Sequence, residues 1–492
     1  MAPPNTGGRR FALHPSLAGI HQLFQQGNVA VLSNVGTLVE PTTRDQFRNG
    51  LVTVPPQLFG HNTQQEQWQL SRPNVSDGLG WGGRIADVLQ ANGANADATV
   101  SMNISLAGRS RFLAGREVAA YSVGTNGASE LDLRGSGNRA TAEDAFLDMV
   151  AVHQDTSHPA STPMGRVLAD VTRRSVDNGR LVNDLLSQGT SITAAAPATR
   201  LAQQMEAVAK LIEIGRAGLS HQRQIFFVSL GGFDNHSGLL GNTPTTGPHG
   251  ASLAEVNGAM MYFWEALGQL GLRDNVTTFT ASDFGRTFRS NGNGSDHGWG
   301  GHHFVMGGSQ VRGGRVYGEF PSIVIGGSQD AGNGGTFVPT TAVDEYGFEL
   351  ARWMGVPASE MRTVFPNIDR FLDPLNPSTH LRMLQLIAVS RGYLVAGIGY
   401  ACSMDRADWA EVKRHISELS SLTDAERRDA YLRHLADEPR EILDAVTQLV
   451  EHLDTPEDEV LPVLVSDDED QTPADAPPQP SELPGVRLIE PV

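Results

Sequence analysis

Three short segments of this chain carry the side chains best suited to chemistry. They are Leu230-Gly-Gly-Phe-Asp-Asn-His236, Ala281-Ser-Asp-Phe-Gly-Arg-Thr287 and Gly294-Ser-Asp-His-Gly-Trp-Gly-Gly-His-His-Phe304. Between residues 234 and 303 they collect Asp234, His236, Asp283, Asp296, His297, His302 and His303. Carboxylate oxygen and imidazole nitrogen together suit hard or borderline divalent ions: zinc, manganese or magnesium. Two such ions about 4 Å apart can clamp an in-line displacement at phosphorus. Each residue also has a plainer use, since an Asp just after a strand often caps a helix or closes an Asx-turn. The coincidence of seven donors in one stretch is harder to explain that way.

Elements must bring these segments together. Val29–Val35, Thr99–Ser105, Ile225–Leu230, Val276–Ala281 and Ser322–Gly326 read as buried strands, each short, apolar or β-branched, and closed by Gly, Asn or Asp. Helical spacing links Leu17, Ile20, Leu23 and Phe24, and then Leu253, Val256, Met260, Phe263, Leu267 and Leu270. Glu345–Met354 reads as a further helix, ended by Gly355 and Pro357. Strands alternating with helices predict an α/β fold whose mostly parallel sheet is sandwiched by helices. In such sheets ligands bind beyond the carboxyl ends of the strands. Two of the three segments begin at such ends.

The chain has 492 residues, 39% of them hydrophobic, enough for one large domain and an appendage. The domain is predicted over 11–373, with 141–222 as a helical insertion or cap. A helical extension follows over 374–454, and then an acidic, proline-rich tail over 455–492, read as disordered. The net charge of -18 excludes nucleic acid as a main partner. Thr455–Val492 holds ten acidic residues against Arg487 alone, so half of that charge lies in the tail. The extension and tail are the expected place for a protein partner. Cys402 is the one cysteine, which excludes internal disulfides and thiolate metal sites. No apolar run is long enough to insert in a membrane; the run Tyr393–Ala401 is too short. No export signal follows Arg9 and Arg10, so the chain as written reads as cytoplasmic.

The segments in order resemble a bacterial family, domain of unknown function fifteen-oh-one, many of whose members carry twin-arginine export signals. The resemblance runs from FALHPSLAGIHQLFQQGNVAVLSNVGTLVEPTT at Phe11–Thr43 through PPQLFGHNTQQEQW at Pro55–Trp68 and GWGGRIADVL at Gly80–Leu89. It continues through GGFDNH, SDFGRT and SDHGWGGHHFVMGG to RVYGEFP at Arg315–Pro321 and FPN at Phe365–Asn367. The family is grouped with alkaline phosphatases, sulfatases and phosphoglycerate mutases. The resemblance therefore implies an alkaline-phosphatase-like fold and a metal-dependent hydrolase of phosphate or sulfate esters, acting on a small anionic substrate. It implies Asp234 and His236 as ligands from one strand end and Asp283 from the next, where Phe284 replaces a frequent His. It implies His297 as the later ligand, with His302 and His303 competing and Asp296 as a ligand or a partner of His297. Arg286 would pair with a tetrahedral oxyanion. His61 would act as general acid or base, or as a further ligand.

Two departures stand against full activity. No GG-x-D motif precedes Phe11, where relatives carry a strand with another metal Asp. Gly60 stands where a nucleophilic Ser is expected before the His, with Thr63 a weak substitute. The alternative is a degenerate, non-catalytic binding or assembly protein on the same fold. A truncated or misassigned start would restore the missing strand and an export signal, making the protein periplasmic or exported.

Overall fold

Alternating apolar side chains give each long strand two buried faces, and the computed structural model assembles these strands into one central sheet. It describes residues 3–5, 10–72, 78–129, 139–158, 161–243, 245–332, 334–376, 380–385 and 392–399. The strands are β1 (Val29–Gly36), β2 (Asn103–Ser105), β3 (Tyr121–Ser122), β4 (Arg223–Leu230), β5 (Val276–Ser282), β6 (Arg286–Ser290), β7 (Ser295–His297), β8 (Gly301–Met306), β9 (Val316–Tyr317), β10 (Thr341–Ala342) and β11 (Gly392–Gly399). The helices are α1 (Ala18–Gln25), α2 (Arg44–Arg48), α3 (His61–Leu70), α4 (Trp81–Ala91), α5 (Arg139–Gln154), α6 (Pro163–Ser187), α7 (Arg200–Ala217), α8 (Pro248–Leu270), α9 (Val343–Met354) and α10 (Met361–Val364).

The sheet order is β10-β1-β8-β5-β11-β4-β2-β3, with β9 also pairing β1. Among the described strands of this sheet only β8 runs antiparallel to its neighbours. β6 and β7 form a separate antiparallel hairpin. Ile225, Phe227, Leu394 and Ala396 face a core that includes Trp68 of α3, Ile85 of α4 and Leu350 of α9. Their neighbours Phe226, Val228, Tyr393 and Val395 face the opposite core, with Leu23 of α1, Val208 of α7 and Phe263 of α8. Period-2 alternation thus feeds two helical layers. The mixed α/β architecture and mostly parallel sheet flanked by helices are those expected. No helix among the described residues is long and apolar enough to cross a membrane.

Three expectations need correction. The run Ser322–Gly326 is not a strand: Ile323 is 52% and Val324 60% exposed, and Gly327 N–H closes a turn on the Val324 carbonyl. Bracketed by Pro321 and Gly326-Gly327, it has β-branched residues but no partner strand among the described residues. The sheet does not end at 373, because β11 lies between β4 and β5 in continuous parallel register, Leu394 opposite Ile225 and Thr277. The apolar run beginning at Tyr393 is therefore a central strand, buried on both faces. Residues 141–222 do not act as one cap either. α7 buries Leu201, Met205, Val208 and Ile212 against the sheet as part of a core layer, whereas α6 leaves Met164, Val167 and Leu168 exposed. The chain divides into two units, Met1–Ala401 and Cys402–Val492. Cys402, the rest of the expected helical extension and the acidic tail lie outside the described residues.

Leu394→Ala is expected to cost about 2–5 kcal/mol in urea unfolding, the usual range for a fully buried leucine. A loss under about 1 kcal/mol would remove β11 from the core.

Candidate metal centre

The carboxyl ends of β4 and β5 open on the same edge of the sheet, since Gly399 of β11 pairs with Leu230 on one side and Ser282 on the other. Asp234 and His236 stand on the loop after β4, and Asp283 directly follows β5. The β6–β7 hairpin folds over this edge and carries His297 at the end of β7, opposite Arg286. Gly294 in its turn approaches the loop after β4 so closely that a Cβ would lie 2.3 Å from the His236 carbonyl oxygen. α3 begins on the same edge, with Gly60 at its N-cap and His61 as its first residue.

Three imidazoles aim the same atom at one carboxylate. His61 Nε2 is 3.1 Å from Asp234 Oδ2. His236 Nε2 is 2.9 Å and His297 Nε2 3.2 Å from Asp234 Oδ1. The two latter Nε2 atoms are 2.8 Å apart. One ligand atom from each of His61, Asp234 and His297 falls within 4.8 Å of the others.

The far side of each ring is backed by an acceptor. His61 Nδ1 is 2.6 Å from Asp283 Oδ2, and His297 Nδ1 is 2.7 Å from the Phe59 carbonyl oxygen. Those oxygens only accept, so both Nδ1 atoms carry protons. In the neutral rings both Nε2 lone pairs then face the cluster, the tautomer a metal ligand needs. His61 Nε2 is also enclosed and without an aligned hydrogen-bond partner. His236 Nδ1 lies 3.4 Å from Asp296 Oδ1, which the Asn291 amide holds at 2.9 Å.

Charge is concentrated here. Burial alone would raise the Asp234 carboxyl. Contacts with His297 and His61, and the charges of His61 and Arg286, instead hold it far below the usual carboxylate range. Burial would lower His61, but the close carboxylates of Asp234 and Asp283 outweigh it and lift the imidazole to about 9. For His236, burial and the charges of Arg286 and His297 outweigh the pull of Asp234, and its affinity for a proton falls.

Several expected ligands have other places. Asp283, 2% exposed, spends Oδ1 on the Ser282 hydroxyl and the Phe284 N–H and Oδ2 on His61 Nδ1. Asp296 likewise stands behind His236. His302 and His303 alternate across β8 and neither joins the cluster. His302 Nδ1 accepts from the Asn34 N–H while its ring stacks on Phe320 at 4.8 Å. His303 is 4% exposed, edge-on to Trp68, and burial pushes it down to about 3. Arg286 is not free for an oxyanion. It pairs through Nη1 with Asp234 and through Nη2 and Nε with the carbonyl and hydroxyl of Ser295. The Thr63 hydroxyl donates to Gln57 Oε1 at 2.5 Å.

Sequence reasoning missed the Phe59 carbonyl, because a backbone oxygen has no residue signature. It left the role of His61 open, and the His61–Asp283 pairing joins positions too far apart in the chain for any spacing to reveal.

The profile of the family described as Protein of unknown function (DUF1501) matches residues 11–331, well over half of the chain, which therefore belongs to that family. No curated protein and no solved structure matches the chain.

His61 normally titrates near 6.5 and here stands at about 9. Its ion pairs thus stabilise the metal-free fold fully below about pH 6.5, a contribution lost as pH rises through 9. The melting temperature in a chelator is expected to fall across that window, and to fall less in His61→Gln. Equal slopes would place His61 outside the ion-paired cluster.

Proposed function

We propose that this member of the family of unknown function is a metal-dependent hydrolase of phosphate or sulfate esters on an alkaline-phosphatase-like fold. His61, Asp234 and His297 hold a divalent ion. The observation that carries this reading is the convergence of two imidazole Nε2 atoms and a carboxylate within 4.8 Å, each ring fixed from behind by an acceptor. The donor set fits: two nitrogens and one oxygen suit zinc or manganese better than magnesium, and three protein ligands leave a position for substrate or water. When bound there, the ion would supply Lewis acidity toward an ester oxygen and toward water.

The chain's own residues supply the rest. Asp283 and the Phe59 carbonyl keep the ligand histidines in the binding tautomer. Arg286 keeps Asp234 ionised. His236, with its side chain 47% exposed and held neutral, takes the proton of the attacking water, and Asp296 behind it stabilises the imidazolium that forms. Gly60 has no hydroxyl and Thr63 donates its own to Gln57. Attack is therefore direct, by water, with no covalent intermediate.

Metal content and turnover of aryl phosphates and aryl sulfates test this reading together. Wild-type protein is expected to bind zinc or manganese and turn over one ester class. Asp234→Asn and His297→Ala should lose the metal, and Asp283→Asn should weaken it about 10–100-fold. His236→Ala should keep the metal and lose about 10²–10⁴ in kcat. Metal bound without turnover would favour the non-catalytic reading, in which the same cluster serves binding or assembly. Absence of metal after zinc, manganese and magnesium are added would sink both the centre and the hydrolase.

A further inference from the structure

The opposite edge of the sheet carries a second concentration of charge. Gly27 precedes β1, and β9 runs beside β1 with Val316 opposite Val31. Where these strands begin, a cavity of about 640 Å3 is lined by Gly27, Arg312, Arg315, Tyr317, Arg382 and Gln385, among others. β1 and β5 run in the same direction, each antiparallel to β8. The cavity and the histidine cluster therefore lie at opposite ends of the strands, on the order of 25 Å apart at about 3.3 Å per residue.

The walls are built, not incidental. Arg312 N–H donates to the Met383 carbonyl and Gln385 N–H to the Gln310 carbonyl, tying the two arginine-bearing segments together. The Tyr317 hydroxyl donates to the Arg312 carbonyl at 2.9 Å. Gly313 passes so close to Gly27 that a Cβ would meet its carbonyl oxygen at 2.3 Å. The Arg312-Gly-Gly-Arg315 turn can therefore hold both arginines at the cavity only with glycine there. Arg382 sits in the left-handed region with φ 56°, a conformation that costs about 1–3 kcal/mol and tends to persist at ligand clamps.

The charges are unbalanced. Among the described residues, the guanidinium groups of Arg312 and Arg315 have no hydrogen-bond or ion-pair partner. The nearby carboxylate of Glu349 is fully buried and already occupied. It pairs with Arg352 at 3.0 Å and accepts from the N–H groups of Arg382 and Leu384. An otherwise acidic chain, with a net charge of -18, thus presents at one cavity the guanidinium forks of Arg312 and Arg315, unneutralised among the described residues. Their planar geometry matches phosphoryl oxygens two at a time.

We infer that this cavity is a binding site for a small phosphorylated anion, separate from the histidine cluster, with Arg312 and Arg315 as its principal ligands and Arg382 as a third. The inference stands whether or not the cluster binds metal. Inorganic pyrophosphate is the probe, titrated calorimetrically at low ionic strength into the full chain freed of divalent ions. Saturable binding of one pyrophosphate per chain is expected. The R312A/R315A chain should bind at least about tenfold more weakly, with a melting temperature close to that of the parent because both side chains are exposed. The milder R312K/R315K chain keeps the charge, loses the forks and should bind at least about threefold more weakly. No saturable binding to the parent chain overturns the site, and so does an affinity unchanged in either variant.

Discussion

Much of the functional edge depends on the carboxylate of Asp234. It lies on a loop where burial would favour its neutral form, yet it is held ionised by the groups around it. Arg286 is the only permanently charged one. The three imidazoles aim Nε2 at the same two oxygens. A carboxylate that needed only a counter-ion would be served by Arg286 alone. Two Nε2 atoms stand 2.8 Å apart beside it, with the lone pair of His297 turned toward the cluster. The proposed ion would draw on the lone pairs of His61 and His297 that converge on this carboxylate.

The sheet topology sets the place that His61 fills between two strand ends. β11 separates β4 from β5, so the loops bearing Asp234 and Asp283 leave the sheet two strand spacings apart, about 9–10 Å. The His61 ring bridges that distance, with Nδ1 at 2.6 Å from Asp283 and Nε2 at 3.1 Å from Asp234. Asp283 thus acts through His61. A reading that sought one ligand from each strand end counted Asp283 as a ligand because sequence does not show the strand between.

How far the chain could be read follows from the same geometry. The strand ends of β4 and β5 and the helix α8 were legible, because buried parallel strands and a long apolar stripe have local signatures. β11 was missed because its glycine-interrupted run, Gly392-Tyr-Leu-Val-Ala-Gly-Ile-Gly399, follows a stretch already read as a different domain. Ser322–Gly326 had the right residue types and no partner, and pairing is not a local property. His302 and His303 competed with His297 as the later ligand because they lie closer to the next apolar run. Once β8 begins at Gly301, alternation sends successive side chains to opposite faces, and His303 goes into the core beside Trp68 and Tyr346.

The remaining question is what makes the His297 side as rigid as the His61 side. Asp283 is buried and saturated with hydrogen bonds. Phe59, by contrast, sits on a loop, and its backbone adopts φ 77°, where a side chain costs about 1–3 kcal/mol. Such a conformation survives only if the surroundings over-determine it. The Phe59 ring packs edge-on against Trp299 at 6.3 Å, within a small cluster with Leu38, Val338 and Ala342. Trp299 is 1% exposed and donates Nε1–H to the Thr37 carbonyl just beyond β1. A chain of contacts thus runs from the end of β1 through Trp299 to the Phe59 carbonyl and on to His297 Nδ1. The strain at Phe59 is the cost of turning that carbonyl toward the imidazole. The third core cluster supports the geometry of the site, and packing defects at Trp299 would reach His297 without touching any ligand.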